Sequence, residues 1–251
     1  MMEEVGPRDL KIYFYDVVDS TQDLARSLGA VEEFTVVVAR EQIKGRGRLG
    51  RGWYSPPGGL WFTIILYPKT PISTYAILCL LCSLSIVKAI EDVTGLKAHI
   101  KWPNDVYLKN KKIAGILVES DVIDELISRA LVGIGVNLNF QIESLPEELR
   151  DKATTLLEEY GETIDREVFL IKILKELKKY YEEYRAGAYQ KLVEVIKSRM
   201  EMIGRTVSVS LDQEDVTGLV KDLEITGNLI IESTRGEIVL NPSKIKKLEL
   251  I

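Results

Sequence analysis

Three apolar runs restrict the fold of this 251-residue chain more than any other feature. They are FTVVVAR (Phe34–Arg40), LWFTIILY (Leu60–Tyr67) and RALVGIGVNLNF (Arg129–Phe140). Each reads as a buried strand bounded by turn residues. A fourth strand candidate, Lys11–Tyr15, alternates apolar and polar residues. Between the last two runs, VYLKNKKIAGILVES reads as a hairpin turning at Asn110. Strand, hairpin and strand in close succession imply an α+β fold. Its sheet should be mixed and mostly antiparallel, with helices on one side.

The helices have clear punctuation. In DSTQDLARSLG, Ser20 and Asp23 have capping-box spacing, Leu24 and Leu28 lie one turn apart, and Gly29 supplies the stop. Tyr75–Val93 reads as a core helix closed by Gly95. Helices dominate from Pro146 to about Met200, with Asp165 as an N-cap and Val168, Ile171 and Leu174–Leu177 as the buried stripe. From Gly204 short β-rich runs alternate with TG, TGN and RG turns, which implies a small barrel-like module. The expected division is residues 1–199 and 200–251.

Composition excludes several roles. The formal net charge of −5 and pI near 5.3 argue against a general nucleic-acid binder. The N-terminal MMEEVGPRDLKIYFYD lacks a basic start followed by an apolar run. The longest apolar segment, Tyr75–Val87, is short for a membrane span and contains Ser83 and Ser85. A cytoplasmic protein without a membrane anchor is expected. Cys79 and Cys82 have C-x-x-C spacing, but a zinc site needs four ligands and the chain has one histidine, His99. Both thiols fall within an apolar helical pattern and should pack as small hydrophobes.

Against this acidic background, KGRGRLGRGW (Lys44–Trp53) holds four cations, four glycines and no acid. Three readings stand side by side: a nucleic-acid tail, a phosphate cradle or a solvated loop. Glycines at 45, 47, 50 and 52 let backbone approach a ligand closely. Arg46, Arg48 and Arg51 are fork-shaped donors suited to carboxylates and phosphates. The flanking buried strands anchor the loop, unlike a disordered tail. KWPND (Lys101–Asp105) has Lys101 and Asp105 flanking a stiff Pro103, with Asn104 as both donor and acceptor. KKIAG (Lys111–Gly115) adds a hairpin lysine, Lys112. None of these is specific alone.

In combination, DSTQ, EQIKGRGRLGRGWYSPPGGL, KWPNDVYLKNKKIAGILVE and GIGVNLN, in this order, resemble the catalytic core of a biotin protein ligase over about Phe14–Asn139. The resemblance implies a class II synthetase-like core followed by a small SH3-like β-barrel. It implies that biotin and ATP form biotinyl-5′-AMP and pyrophosphate. The acyl group then passes to a lysine of a biotin carboxyl carrier protein or domain, with Mg²⁺ assisting the triphosphate. The first step brings a carboxylate against a phosphate. At 4 Å and an effective dielectric near 20 that contact costs about 4 kcal/mol, roughly a thousandfold in rate if uncompensated. Cations held in place remove that penalty.

Residue by residue, the resemblance assigns Ser20, Thr21, Gln22 and Gln42 to the ureido end of biotin. Arg46, Gly47 and Arg48 form a loop over biotin and the adenylate, with Gly115 also at the biotin site. Arg48 and Lys112 are the catalytic candidates at the carboxylate–phosphate contact. Arg51, Trp53, Lys101, Asn104, Asp105 and Asn137 belong to the nucleotide side, with Asp105 also the candidate Mg²⁺ ligand. Core packing is the alternative for Trp53 and Trp102. Two departures stand out: Gly52 where relatives often carry a further basic residue, and Gln22 where asparagine is common. About ten residues precede the first strand, too few for a helix-turn-helix repressor domain, so no DNA binding is expected. By family analogy an exposed sheet edge pairs two subunits in a homodimer. A lipoate or octanoate transferase is the alternative within the same fold. An RNA-binding module is the alternative outside it, disfavoured by the acidic charge.

Overall fold

Alternation along the apolar strands sends one set of side chains to each face of a central sheet. Val36 and Val38, Phe62 and Ile64, and Val132 and Ile134 join the main core. Val37, Ile65 and Leu131 join a smaller cluster on the opposite face. The computed structural model describes residues 10–211 and 214–251. The reading of the first nine residues as free of a leader lies outside them.

Eight strands make the first sheet: β1 (Ile12–Val18), β2 (Thr35–Gln42), β3 (Leu60–Leu66), β4 (Thr70–Pro71), β5 (Ala98–Lys101), β6 (Asp105–Leu108), β7 (Lys111–Ile123) and β8 (Leu126–Val136). Their order is β1-β2-β3-β8-β7-β6-β5, with β4 paired to β8. Among the described strands of this sheet, only β1 and β2 run parallel; the other strand pairs are antiparallel. The β6–β7 hairpin turns at Lys109 and Asn110, both with positive φ (47° and 66°), as a two-residue primed turn requires. β8 ends at Val136, short of the Phe140 end of its apolar run. Asn137–Phe140 leave the sheet, and Asn137 and Asn139 donate to the carbonyls of Thr154 and Ile164.

Helix α1 (Thr21–Ser27) connects β1 to β2. Ser20 caps it by accepting from the Gln22 amide, but Asp23 does not close a capping box; its carboxylate pairs with Arg46 at 2.7 Å. Helix α2 (Tyr75–Thr94) is buried nearly all round and ends at Gly95 with φ 73°. The helical segment Ile72–Thr94 is long and apolar enough to cross a bilayer, longer than the apolar run in the sequence suggests, but 78% of its most apolar stretch is buried inside the fold. Burial pushes the Cys79 thiol up to about 12, and both cysteines are free and packed within this helix.

Short helices α3 (Glu147–Arg150) and α4 (Leu156–Tyr160) lead to α5 (Arg166–Arg185) and α6 (Tyr189–Lys197). Asp165 caps α5 by accepting from the amides of Glu167 and Val168. Val168 itself, expected in the stripe, is 63% exposed. Phe169, Leu170, Ile173, Leu174 and Leu177 form the buried face instead, extended by three tyrosines. Tyr181 and Tyr184 can serve as core because their hydroxyls are satisfied by Glu33 and by Thr70 and Thr74. The longer helices lie against one face of the sheet. The short α1 lies on the other, at the Val37–Ile65–Leu131 end.

Five antiparallel strands follow: β9 (Thr206–Ser210), β10 (Asp215–Leu223), β11 (Leu229–Ser233), β12 (Gly236–Leu240) and β13 (Lys247–Leu250), in the order β12-β11-β10-β9-β13. This is the C-terminal β module, and its apolar residues are continuous with the main core. Trp102, fully buried, donates its indole N–H to the carbonyl of Gly227 at 2.9 Å and ties the module to the KWPND turn. Core packing accounts for its burial, and it also lines the cleft described below.

Candidate active site

The sheet face that carries α1 is bare over part of its width because glycines stand there. Gly115 of β7 pairs directly with Gly135 of β8, and Gly133 pairs with Leu117. A Cβ at Gly135 would lie 2.3 Å from the Trp53 indole nitrogen, and one at Gly115 would lie 2.8 Å from the same ring. A Cβ at Gly133 would lie 2.5 Å from Gln22 Oε1. These glycines form the floor of a cleft of about 700 Å³, within the usual range for a small-molecule site. Trp53 lies over that floor, and its indole N–H is buried without a hydrogen-bond partner among the described residues. It is a wall of the cleft rather than a core residue.

One end of the cleft is polar and uncharged. Gln42 Oε1 accepts from both the amide and the hydroxyl of Thr21, at 2.9 and 3.0 Å. Gln42 Nε2 donates to Ser55 Oγ at 2.9 Å. Gln22 Nε2 donates to the carbonyl of Leu131 at 3.0 Å. Ser20, Thr21 and Gln22 are each almost wholly buried.

The other end is cationic. Lys112 Nζ lies 2.7 Å from Asp105 and 5.0 Å from the centre of the Trp53 ring, a distance at which a cation–π attraction operates. Lys101 donates to the Tyr107 hydroxyl at 3.2 Å. Burial lowers the pKa of Lys101 from its ordinary value, and it pushes the Tyr107 phenol up to about 12. Asn104 holds the turn to β7 by donating to the Ile116 carbonyl, and its Oδ1 accepts from Arg48 at 3.1 Å.

The arginine loop is docked rather than free. Arg46, which the sequence leaves without an acidic neighbour, pairs with Asp23 at 2.7 Å and Glu119 at 2.9 Å, both brought from distant segments. Arg48 donates to the carbonyl of Pro242 at 2.6 Å, and Arg51 to that of Lys246 at 3.1 Å. The loop bridges from the sheet to the C-terminal module. Leu49 within it has a positive φ of 59°, a strained value for a branched residue. Gly47, Gly115 and Asn137 also line the cleft, so the folded chain gathers the residues singled out in the sequence around one cavity. Asn137 donates to the Thr154 carbonyl at 3.0 Å.

With this geometry in view, known proteins can be compared. A sequence model of the Biotin/lipoate A/B protein ligase family matches residues 14–137. The bifunctional ligase/repressor BirA of Bacillus subtilis is 34% identical over 228 residues, which cover 90% of this chain and 70% of that protein. The chain belongs to the biotin protein ligase family. A biotin–[acetyl-CoA-carboxylase] ligase of Paracoccus denitrificans is 28% identical over 83% of this chain and 88% of its own. Among solved structures, a biotin protein ligase from Aquifex aeolicus in complex with biotin and ATP superposes with a TM-score of 0.85 at 34% identity, covering 96% of this chain and 99% of that one. The fold of this ligase family member is thus the mixed sheet with helices and a C-terminal β module that the sequence implied.

Sequence reasoning missed several lining residues of this ligase family member. Gly133 and Gly135 were legible as alternating glycines in a strand, a sign of close approach. Thr63, not itself a lining residue but in contact with Thr21 and Gln22, was legible as the lone polar residue in a buried run, LWFTIIL. The segments 145–153 and 245–249 close the cleft from far along the chain, and no local spacing signals them.

Proposed function

We propose that the cleft binds biotin with its ureido ring at the Thr21–Gln42 end and its carboxylate toward Lys112 and Arg48. The family supports ligation of biotin using ATP. One observation carries the placement: a neutral donor–acceptor network and a cationic cluster stand at opposite ends of one glycine-floored cleft. An uncharged cyclic urea matches the first, and a carboxylate meeting a phosphate matches the second. The biotin carboxylate oxygen attacks the α-phosphorus of ATP, and the bond to pyrophosphate breaks. Lys112 and Arg48 hold the carboxylate and phosphate oxygens together and offset their repulsion. A carrier lysine amine then attacks the acyl carbon, and the bond to AMP breaks. Arg51, Lys101, Asn104 and Asn137 serve the nucleotide side, and Trp53 excludes water from the reacting atoms.

Bound with ATP, Mg²⁺ would supply charge neutralisation on the triphosphate. Among the described residues no three or more His, Cys, Asp or Glu side chains gather as a metal cage. Asp105 faces Lys112 at 2.7 Å. The protein donors therefore do not fit a resident metal centre, and Mg²⁺ would arrive with ATP rather than reside in the protein.

The acceptor is a biotin carboxyl carrier domain, and the protein works in the cytoplasm without binding DNA or membrane; the net charge of −5 supports the DNA reading. A homodimer is supported by the outer edge of β7, whose paired register with β6 ends at Gly115. The family model also embraces lipoate ligases, which would use the same fold. The polar network at the closed end favours a urea over the apolar dithiolane ring of lipoate. Biotin-dependent exchange of pyrophosphate into ATP, with none for lipoate, tests the choice. A specific gel shift with operator DNA would contradict the DNA reading.

A further inference from the structure

We infer that Thr63 and Ser55, neither of them a residue of the reacting cluster, are positioning residues that lock Gln42 in one orientation and couple the closed end of the cleft to the base of the arginine loop. This rests on the placement of biotin proposed above. Thr63 is the one polar side chain in the buried strand β3, and it is fully buried. Its hydroxyl lies 2.9 Å from Thr21 Oγ1 and 3.2 Å from Gln22 Oε1. Ser55, also buried, accepts from Gln42 Nε2 and donates to the Trp53 carbonyl at 3.0 Å.

The orientation of Gln42 follows from the two ends it bonds to. The Thr21 amide can only donate, so the atom of Gln42 facing it must be the oxygen. The Trp53 carbonyl can only accept, so Ser55 spends its single hydrogen there and must receive one from Gln42. Two independent anchors thus demand the same amide orientation. Thr63 has a single hydroxyl hydrogen, which faces both Thr21 Oγ1 and Gln22 Oε1, so it braces the two residues beside Gln42. Gln42 keeps one amide hydrogen, and Ser20, which accepts from the Gln22 amide, keeps its hydroxyl hydrogen. Both residues line the cleft, and together they present donors to a ligand carbonyl oxygen. A flipped Gln42 would present an oxygen instead and repel that carbonyl. Because Ser55 ends on the backbone of Trp53, the same chain of bonds also holds the residue that covers the ligand. Gly45 permits this approach: a Cβ there would lie 2.3 Å from the Trp53 carbonyl oxygen and 2.7 Å from Ser55 Oγ.

The test uses the full-length protein and biotin-dependent pyrophosphate exchange at varied biotin and varied ATP. Wild-type exchange establishes the parent reading; its absence overturns that reading, not the positioning roles alone. With wild type active, Ser55→Ala and Thr63→Val should each raise the KM for biotin about tenfold, as expected for loss of one oriented hydrogen bond. The KM for ATP and kcat should stay near wild type. Thr63→Ser, which keeps the hydroxyl, should restore the biotin KM. A thermal melt separates the effects of Thr63→Val on packing. Should that variant not fold, Ser55→Ala, outside the named strands, decides alone. Unchanged biotin KM in Ser55→Ala, or equal losses toward biotin and ATP, would overturn the inference.

Discussion

Lys112 and Asp105 meet at 2.7 Å across the β6–β7 hairpin, with both side chains about a quarter exposed or less. Asp105 closes the KWPND turn and Lys112 opens KKIAG, so two motifs become one ion pair. The pair fixes where the ammonium points, toward the cleft and beside Trp53. Lys112→Ala should lower the rate of adenylate formation about a thousandfold, the value of the carboxylate–phosphate repulsion it offsets. The melting temperature should fall only slightly, because the pair is partly solvated. Single-turnover formation of biotinyl-5′-AMP, with a thermal melt alongside, reads both.

Arg48 connects the loop to Asn104 and to the carbonyl of Pro242. Arg48→Ala should loosen this closure more than it slows chemistry. The expected outcome is biotinyl-5′-AMP escaping into solution at several times the wild-type rate. Filtration of the protein after adenylation, followed by assay of free adenylate, measures it.

Gly135 and Trp53 are coupled by contact. A Gly135→Ala methyl would lie 2.3 Å from the indole nitrogen, too close for both to remain. The substitution should weaken biotin binding by displacing the indole. In a Trp53→Ala background it should cost much less. A double-mutant cycle on biotin affinity should therefore be non-additive by roughly 1 kcal/mol or more.

Tyr107 gives a signed pH effect. Its phenol titrates at about 12 in the folded protein against 10.0 ordinarily, because burial disfavours the phenolate. The folded state thus holds its proton longer than the unfolded state, so the contribution is complete below pH 10.0 and is lost as pH rises through about 12. The depressed pKa of the neighbouring Lys101 acts in the opposite sense, with stability rising as pH approaches 10.5. Comparing wild type with Tyr107→Phe holds that part nearly constant. The stability difference between the two should shrink from pH 10 upward. Denaturant midpoints across that range test the sign.

Much of this was legible in the sequence because it is local. The caps Ser20, Gly95 and Asp165 fall where short-range rules put them. Asn110 turns the hairpin for the reason its φ shows. The failures have a common cause in tertiary context. Val168 reads as apolar stripe, yet the tyrosines of α5 find buried partners for their hydroxyls and the helix turns that face inward. Arg46 reads as unpaired because Asp23 and Glu119 are remote in sequence. The cleft wall at residues 245–249 comes from the C-terminal module, and only the folded chain brings Lys246 to Arg51.

The central claim is that this cleft activates biotin and delivers it to a carrier lysine. Incubating the protein with biotin, MgATP and a biotin carboxyl carrier domain, then weighing the carrier by mass spectrometry, addresses it directly. One biotinyl group should appear on one lysine, dependent on ATP and absent with Lys112→Ala. A carrier of unchanged mass, with a competent ligase modifying it in parallel, would contradict the account.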